Sequence, residues 1–187
     1  LPGEDHDDLD PASIDLGTVG IGNLVWLDAN NNGILDFVSG SPVELGIAGV
    51  TVNLYAASAP TTIIATTTTD AYGKYLFTGL MEGDYIVEIM APAGYTPSTD
   101  IASSASPNNN TDSDDNGVNW TAATRKLRSN AITLTRGQEP ITEFDRAGSI
   151  NGAFDSTPDY NANYTMDFGL YAQSDIPCST KIGRAHV

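Results

Sequence analysis

Asp28-Ala-Asn-Asn-Asn-Gly-Ile-Leu-Asp36 is the stretch on which the reading of the whole chain turns. Oxygen-bearing side chains recur at Asp28, Asn30, Asn32 and Asp36, with Gly33 after the third. That is the spacing of a calcium loop. Alternate side chains turn inward, and the glycine permits the sharp bend that brings a backbone carbonyl, here that of Ile34, onto the ion. Calcium takes roughly six to eight oxygens, and this stretch offers about five. A plain polar turn also draws on Asn, Asp and Gly, but it has no reason to space them D-x-N-x-N-G-x-x-D.

The flanks decide what carries the loop. Residues 20–27, Gly-Ile-Gly-Asn-Leu-Val-Trp-Leu, hold two glycines and a β-type run, with Leu24 and Trp26 on one face and Val25 and Leu27 on the other. The exit, Phe37-Val-Ser-Gly-Ser-Pro-Val-Glu-Leu-Gly46, contains Gly and Pro and makes a poor helix. An EF-hand needs a helix on each side, so this loop sits on a β scaffold.

Further out, strand signals follow closely. Gly49–Tyr55 alternates, with Val50, Val52 and Leu54 on one face. Thr61–Thr69 is β-branched apart from one alanine; Asp70-Ala-Tyr-Gly-Lys74 is a turn; Tyr75 and Phe77 align; Met81-Glu-Gly-Asp84 turns into Tyr85–Met90. Later, Asn130–Thr135 and Tyr164–Tyr171 read as strands, with 136–163 as loop between them. Many short strands with frequent turns and no amphipathic helix predict an all-β, antiparallel sandwich with long loops.

Residues 98–117 are dominated by Ser, Asn, Asp and Pro, and a polar loop of that length is functional or disordered. It ends in Asp112-Ser-Asp-Asp-Asn-Gly117, again a D-x-D-x-N-G spacing. Asp112, Asp114 and Asn116 are therefore a second set of calcium candidates, because crowded carboxylates repel unless an ion bridges them. The later loop positions fall on Trp120 and Ala123, so other segments must complete that shell. A solvated acidic loop is the plainer alternative.

The chain has 187 residues and a formal charge of −16, from 8 Lys and Arg against 24 Asp and Glu. It should not bind nucleic acid or an anionic membrane by charge, and it should attract cations. No stretch is apolar for long enough to span a bilayer. The single cysteine, Cys178, makes no internal disulfide. Residues 1–17 read as an acidic linker, 18–172 as one domain and 173–181 as a linker to a downstream region. Ile182-Gly-Arg-Ala-His-Val187 matches one reading frame of a common sequencing adapter and is read as an artefact, an ordinary polar tail being the plainer alternative. The chain thus reads as a piece of something longer.

Six ordered motifs carry a resemblance. Gly22–Gly33, Gly46–Tyr55, Thr69–Leu80, Gly83–Glu88, Pro92–Pro97 and Asp167-Phe-Gly169 resemble the B-type repeat domain of serine-aspartate repeat surface proteins, the SdrD B-like domain. The resemblance implies an immunoglobulin-like or prealbumin-like sandwich of the collagen-adhesin B type, binding calcium and repeated along bacterial surface proteins. It implies that Asp28, Asn30, Asn32, Ile34 (by its carbonyl) and Asp36 are ligands, and that Asp112 and Asp114 belong to an acidic loop holding further calcium. It also implies a closing glutamate, here Glu44, although the inserted Phe37–Val43 lengthens the connection beyond the family's pattern. The insertion is expected to bulge out and leave Glu44 in place. Related domains carry a Lys–Asn or Lys–Asp isopeptide bond promoted by a buried acid. Glu88 stands where that acid would be, but the first strand has no lysine, so no such bond is expected and Glu88 is read as an outward-facing or hydrogen-bonded strand residue.

Function follows from these readings. His6 lies in the linker and His186 in the adapter-like segment, leaving no histidine for acid–base or zinc chemistry. The acid pairs in Asp112–Asp115 suit calcium better than glycoside cleavage, so the chain is not expected to be an enzyme. The first reading is a calcium-stabilised stalk or spacer module of a bacterial cell-surface, cell-wall or secreted adhesin-like protein, its partners being neighbouring domains of the same chain. The alternative is a ligand-binding adhesin or carbohydrate-binding module, taking an extracellular protein or glycan on Trp120, Tyr160 and Tyr164.

Overall fold

The structure is a computed structural model and describes residues 17–99, 106–143 and 159–172. In chain order the strands are β1 (Val19–Leu27), β2 (Phe37–Val38), β3 (Ser41–Pro42), β4 (Thr51–Ala56), β5 (Ile63–Thr68), β6 (Lys74–Leu80) and β7 (Gly83–Met90). Then come β8 (Tyr95–Pro97), β9 (Asn119–Thr121), β10 (Lys126–Arg128), β11 (Ile132–Leu134), β12 (Ala162–Asn163) and β13 (Phe168–Ala172). The only helical elements among the described residues are two short 3-10 turns, Pro107–Asn109 and Asp159–Asn161.

Two sheets face each other. In the first, β1 pairs antiparallel with β6 on one edge; on the other it pairs parallel with β12 near its start and with β13 near its end, and β8 lies beyond β13. The second runs β5-β4-β7-β10-β9, with β11 also on β7. The sandwich is antiparallel apart from the two parallel pairings of β1. Alternation explains the core: Val52 and Leu54 of β4, Val87 and Ile89 of β7, and Ile132 and Leu134 of β11 are all buried against Val19, Ile21 and Val25 of β1. Tyr75 packs edge-on to Phe77 at 6.2 Å, and its hydroxyl donates to the Met166 carbonyl at 2.6 Å.

Two expected features differ. The predicted strand Tyr164–Tyr171 is split: Tyr164 and Met166 are buried, but regular pairing resumes only at Phe168. The sequence reading also had no strands at 119–128, where β9 and β10 extend the second sheet. The linkers apart from Gly17, the adapter-like segment, Cys178 and both histidines lie outside the described residues, as do residues 144–158 of the 136–163 loop.

The pole where β1 ends is built by close backbone packing. The Leu27 amide donates to the Leu45 carbonyl at 2.8 Å on one side, and the Asp28 amide to the Leu170 carbonyl at 2.9 Å on the other. The segment through Gly46 crosses the Tyr72–Gly73 turn so tightly that a Cβ on Gly46 would lie 1.8 Å from the Tyr72 carbonyl oxygen. No side chain fits there. Because β13 runs parallel to β1, the described chain enters at the opposite pole and leaves at this one. The nine residues of β1 span about 30 Å between the two poles.

Candidate metal centre

The first loop folds around its own carboxylates. Asp28 is buried, and its two oxygens accept from the amides of Asn32 (3.2 Å) and Gly33 (2.8 Å). Asn30 Oδ1 accepts from the Asn32 amide and Asn32 Oδ1 from the Ile34 amide, at 3.1 and 2.9 Å. Asn31 and Gly33 take positive φ, 58° and 76°, which is where a glycine is needed most. The Asp36 carboxylate receives the side-chain amides of Asn30 and Asn32, at 2.5 and 3.3 Å. Those amides supply the partial positive charge that a cation would supply more strongly.

Glu44 reaches this loop despite the longer connection. Residues 37–43 rise as the hairpin β2–β3, closed by the Val43 amide on the Asp36 carbonyl. Glu44 returns buried, with Oε1 accepting from the Ala29 amide (2.7 Å) and Oε2 from the Asp36 amide (3.2 Å).

The second loop is bonded to the first. Leu35 donates to the Ser113 carbonyl at 2.8 Å and Asp115 to the Gly33 carbonyl at 3.1 Å, with Ile34 opposite Asp114. In such a non-hydrogen-bonded pair the N–H and C=O of Ile34 both point away from the partner strand, and its N–H is directed into its own loop. Asp112 and Asp114 therefore stand beside the first loop, and Asp114 is buried. Asn116 is placed differently: its Oδ1 accepts from the Asp167 amide at 2.8 Å while its amide group meets Asp114 at 3.3 Å. Its oxygen thus ties the loop to the last strand.

Two residues not chosen from the sequence complete this cluster. Asp167 is buried, with its oxygens on the amides of Leu24 (3.0 Å) and Ser113 (2.9 Å). Burial pushes its carboxyl well above the usual range; the neighbouring charge of Asp112, a hydrogen bond to Asp112 and the charge of Asp114 push it further, against the Ser113 amide. Asn23 is buried on β1, donates to Asp112 at 3.0 Å, and leaves its Oδ1 with no hydrogen-bond partner. Each had a sequence signal only through a motif of the resemblance, Asp167 in Asp167-Phe-Gly169 and Asn23 in Gly22–Gly33; nothing in the spacing pairs Asn23 with a partner 89 residues away. Asp115, also buried, caps the Gly117 and Gly169 amides.

The donor set fits a hard cation. It is all oxygen, it includes a buried amide oxygen with nothing to accept from, and neither loop contains a lysine or arginine. Among the described residues no three His, Cys, Asp or Glu side chains converge tightly enough to hold an ion unaided. Amide and carbonyl oxygens would have to share the coordination, as they do in calcium loops.

Elsewhere, Glu88 is buried and hydrogen-bonded. It accepts from Tyr55 (2.9 Å), Asn53 (3.3 Å), Lys126 (2.9 Å) and Arg128 (2.6 Å), and Arg128 lies over the Tyr55 ring at 4.2 Å. Of the three aromatic residues considered for sugar stacking, Tyr164 is buried, Trp120 is half-buried against the core, and Tyr160 alone is exposed.

A family model described as the SdrD B-like domain matches residues 19–138. Serine-aspartate repeat-containing protein D of Staphylococcus aureus (strain Newman) is 41 % identical over 118 residues, covering 61 % of this chain and 8 % of the relative. Serine-aspartate repeat-containing protein E of the same strain is 38 % identical over 138 residues, covering 73 % and 10 %. Among solved structures, the minor pilin GBS52 of Streptococcus agalactiae aligns over 90 % of this chain and 49 % of its own, at 14 % identity and a TM-score of 0.41. The chain spans only 8 % and 10 % of the length of these two curated relatives. The family match runs unbroken from β1 past β11, through both acidic loops and well over half of the sequence, and the chain belongs to the SdrD B-like domain family.

Proposed function

We propose that this chain is a calcium-stabilised structural module, a stalk or spacer within a longer bacterial cell-surface or secreted adhesin-like protein, without catalytic activity of its own. The observation that carries the reading is the bonding of two acidic loops into one pole around Asp167, whose nearest charged neighbours are themselves acids. Like charges held together out of water are costly unless a counter-charge joins them. Asp28, Asn30, Asn32, the Ile34 carbonyl, Asp36 and Glu44 would hold one ion. Asp112, Asp114, Asp167 and Asn23 would hold another. Bound calcium supplies positive charge that lets the loops close on each other and on β1 and β13.

An ion that binds only the folded state stabilises it by roughly 2.7 kcal/mol at a hundredfold excess over its Kd. For a domain of this size that corresponds to about 5–11 °C in melting temperature per site. Melting in calcium and in chelator tests this directly. A transition that chelator leaves unmoved counts against the reading. The glycan-binding alternative is weakened by the burial of Tyr164 and the packing of Trp120.

A further inference from the structure

The hairpin β2–β3 exposes apolar side chains that the sandwich does not use. Val38 is 61 %, Val43 54 % and Leu45 68 % exposed, and Ile34 beside them is exposed as well. Residues 37–43 carry no charge, in a chain of net charge −16. Exposed apolar groups concentrated in one short element mark a contact surface.

Register fixes where the base of that hairpin lies. Leu45 and Leu170 bond to the backbone on opposite edges of the end of β1. Neighbouring strands lie about 4.8 Å apart, so the two residues sit within about 10 Å of each other. The hairpin ends two residues before Leu45, and from Leu170 the chain runs on to Ala172 at the same pole. Ala172 therefore ends the described chain at the pole that carries the apolar hairpin.

We propose that this hairpin is the docking face for the module that follows in the parent chain, an inference that rests on the stalk reading above. A tethered neighbour is present at an effective concentration of order millimolar, so a small apolar contact is enough to seat it. A second copy of this chain is the poorer occupant, because each copy carries a net charge of −16. Two such chains repel each other. The matching surface on the following module is apolar.

The test uses the full-length parent protein in calcium, with Val38 replaced by a photoreactive benzophenone amino acid. The expected result is an intrachain cross-link from position 38 to the following module, lost when Leu45→Ser is added, with the melting transition unchanged. Cross-links only between chains, no protein cross-link, or a link that survives Leu45→Ser would each overturn the inference. The stalk reading fails separately. A chelator-sensitive transition without the intrachain link overturns docking alone, whereas an intrachain link with chelator-insensitive melting overturns the calcium stalk alone.

Discussion

Glu88 and Asp167 are carboxylates at similar depth, 2 % and 1 % exposed, and the fold treats them in opposite ways. At Glu88 burial raises the pKa, but hydrogen bonds from Arg128, Lys126, Tyr55 and Asn53 outweigh it and hold the carboxyl below its ordinary value. At Asp167 burial raises the pKa and the acids Asp112 and Asp114 raise it further. The outer face of the second sheet brings its own cations. The two acidic loops contain no lysine or arginine, and in the function proposed above a bound cation takes that place. A buried acid is answered by neighbouring cations in one region and faces other acids in the other.

The largest expected effect separates the two regions by their dependence on calcium. Chelation should remove roughly 2.7 kcal/mol per site at a hundredfold excess over Kd, by the same amount in Glu88→Gln as in the unmodified chain. A chelator effect that shrinks in Glu88→Gln, read by denaturant titration, would show that the regions are coupled.

Next in size, Glu88→Gln should cost about 1–3 kcal/mol, because Arg128 and Lys126 are left facing a neutral amide; their partial exposure limits the loss. The cost should be the same with and without calcium. Glu44→Ala should cost about 1–2 kcal/mol even in chelator, since the Ala29 and Asp36 amides lose their acceptor. It should also weaken calcium binding in titration calorimetry. Unchanged affinity would make Glu44 a backbone cap and nothing more.

The smallest effect is on pH. With its folded pKa depressed, Glu88 contributes stability that is fully present above the unfolded value of about 4.3 and is lost as pH falls through the folded value. With both cations partly solvated, the amplitude should be below about 1 kcal/mol. Melting curves taken down to acid pH should show this limb in the unmodified chain and lack it in Glu88→Gln. The same limb in both would assign it to other groups.

The regular strands were legible because their alternation runs long enough to count: β4 and β7 each place several apolar residues on one face. Strands β9 and β10 were not, since Asn119-Trp-Thr121 and Lys126-Leu-Arg128 offer a single apolar residue apiece. The first loop could be read because its candidate ligands are local and evenly spaced. Glu44 could be placed only by the resemblance, since the hairpin hides its position in the spacing. Asp167 and Asn23 join the second cluster through β1 and the last strand, a proximity that exists only once the sheet has formed.

The parallel pairing of β1 with β12 and β13 has a mechanical consequence. The described chain enters at the start of β1 and leaves at the end of β13, at opposite poles of two parallel strands hydrogen-bonded side by side. Tension along the chain pulls these strands past each other lengthwise. The bonds between them are loaded together in shear, where an unzipping geometry would open them one at a time. The loops at the exit pole clamp the loaded end through Asp28 on Leu170 and Asn116 on Asp167. An ion that tightens those loops would raise the force at which the module yields.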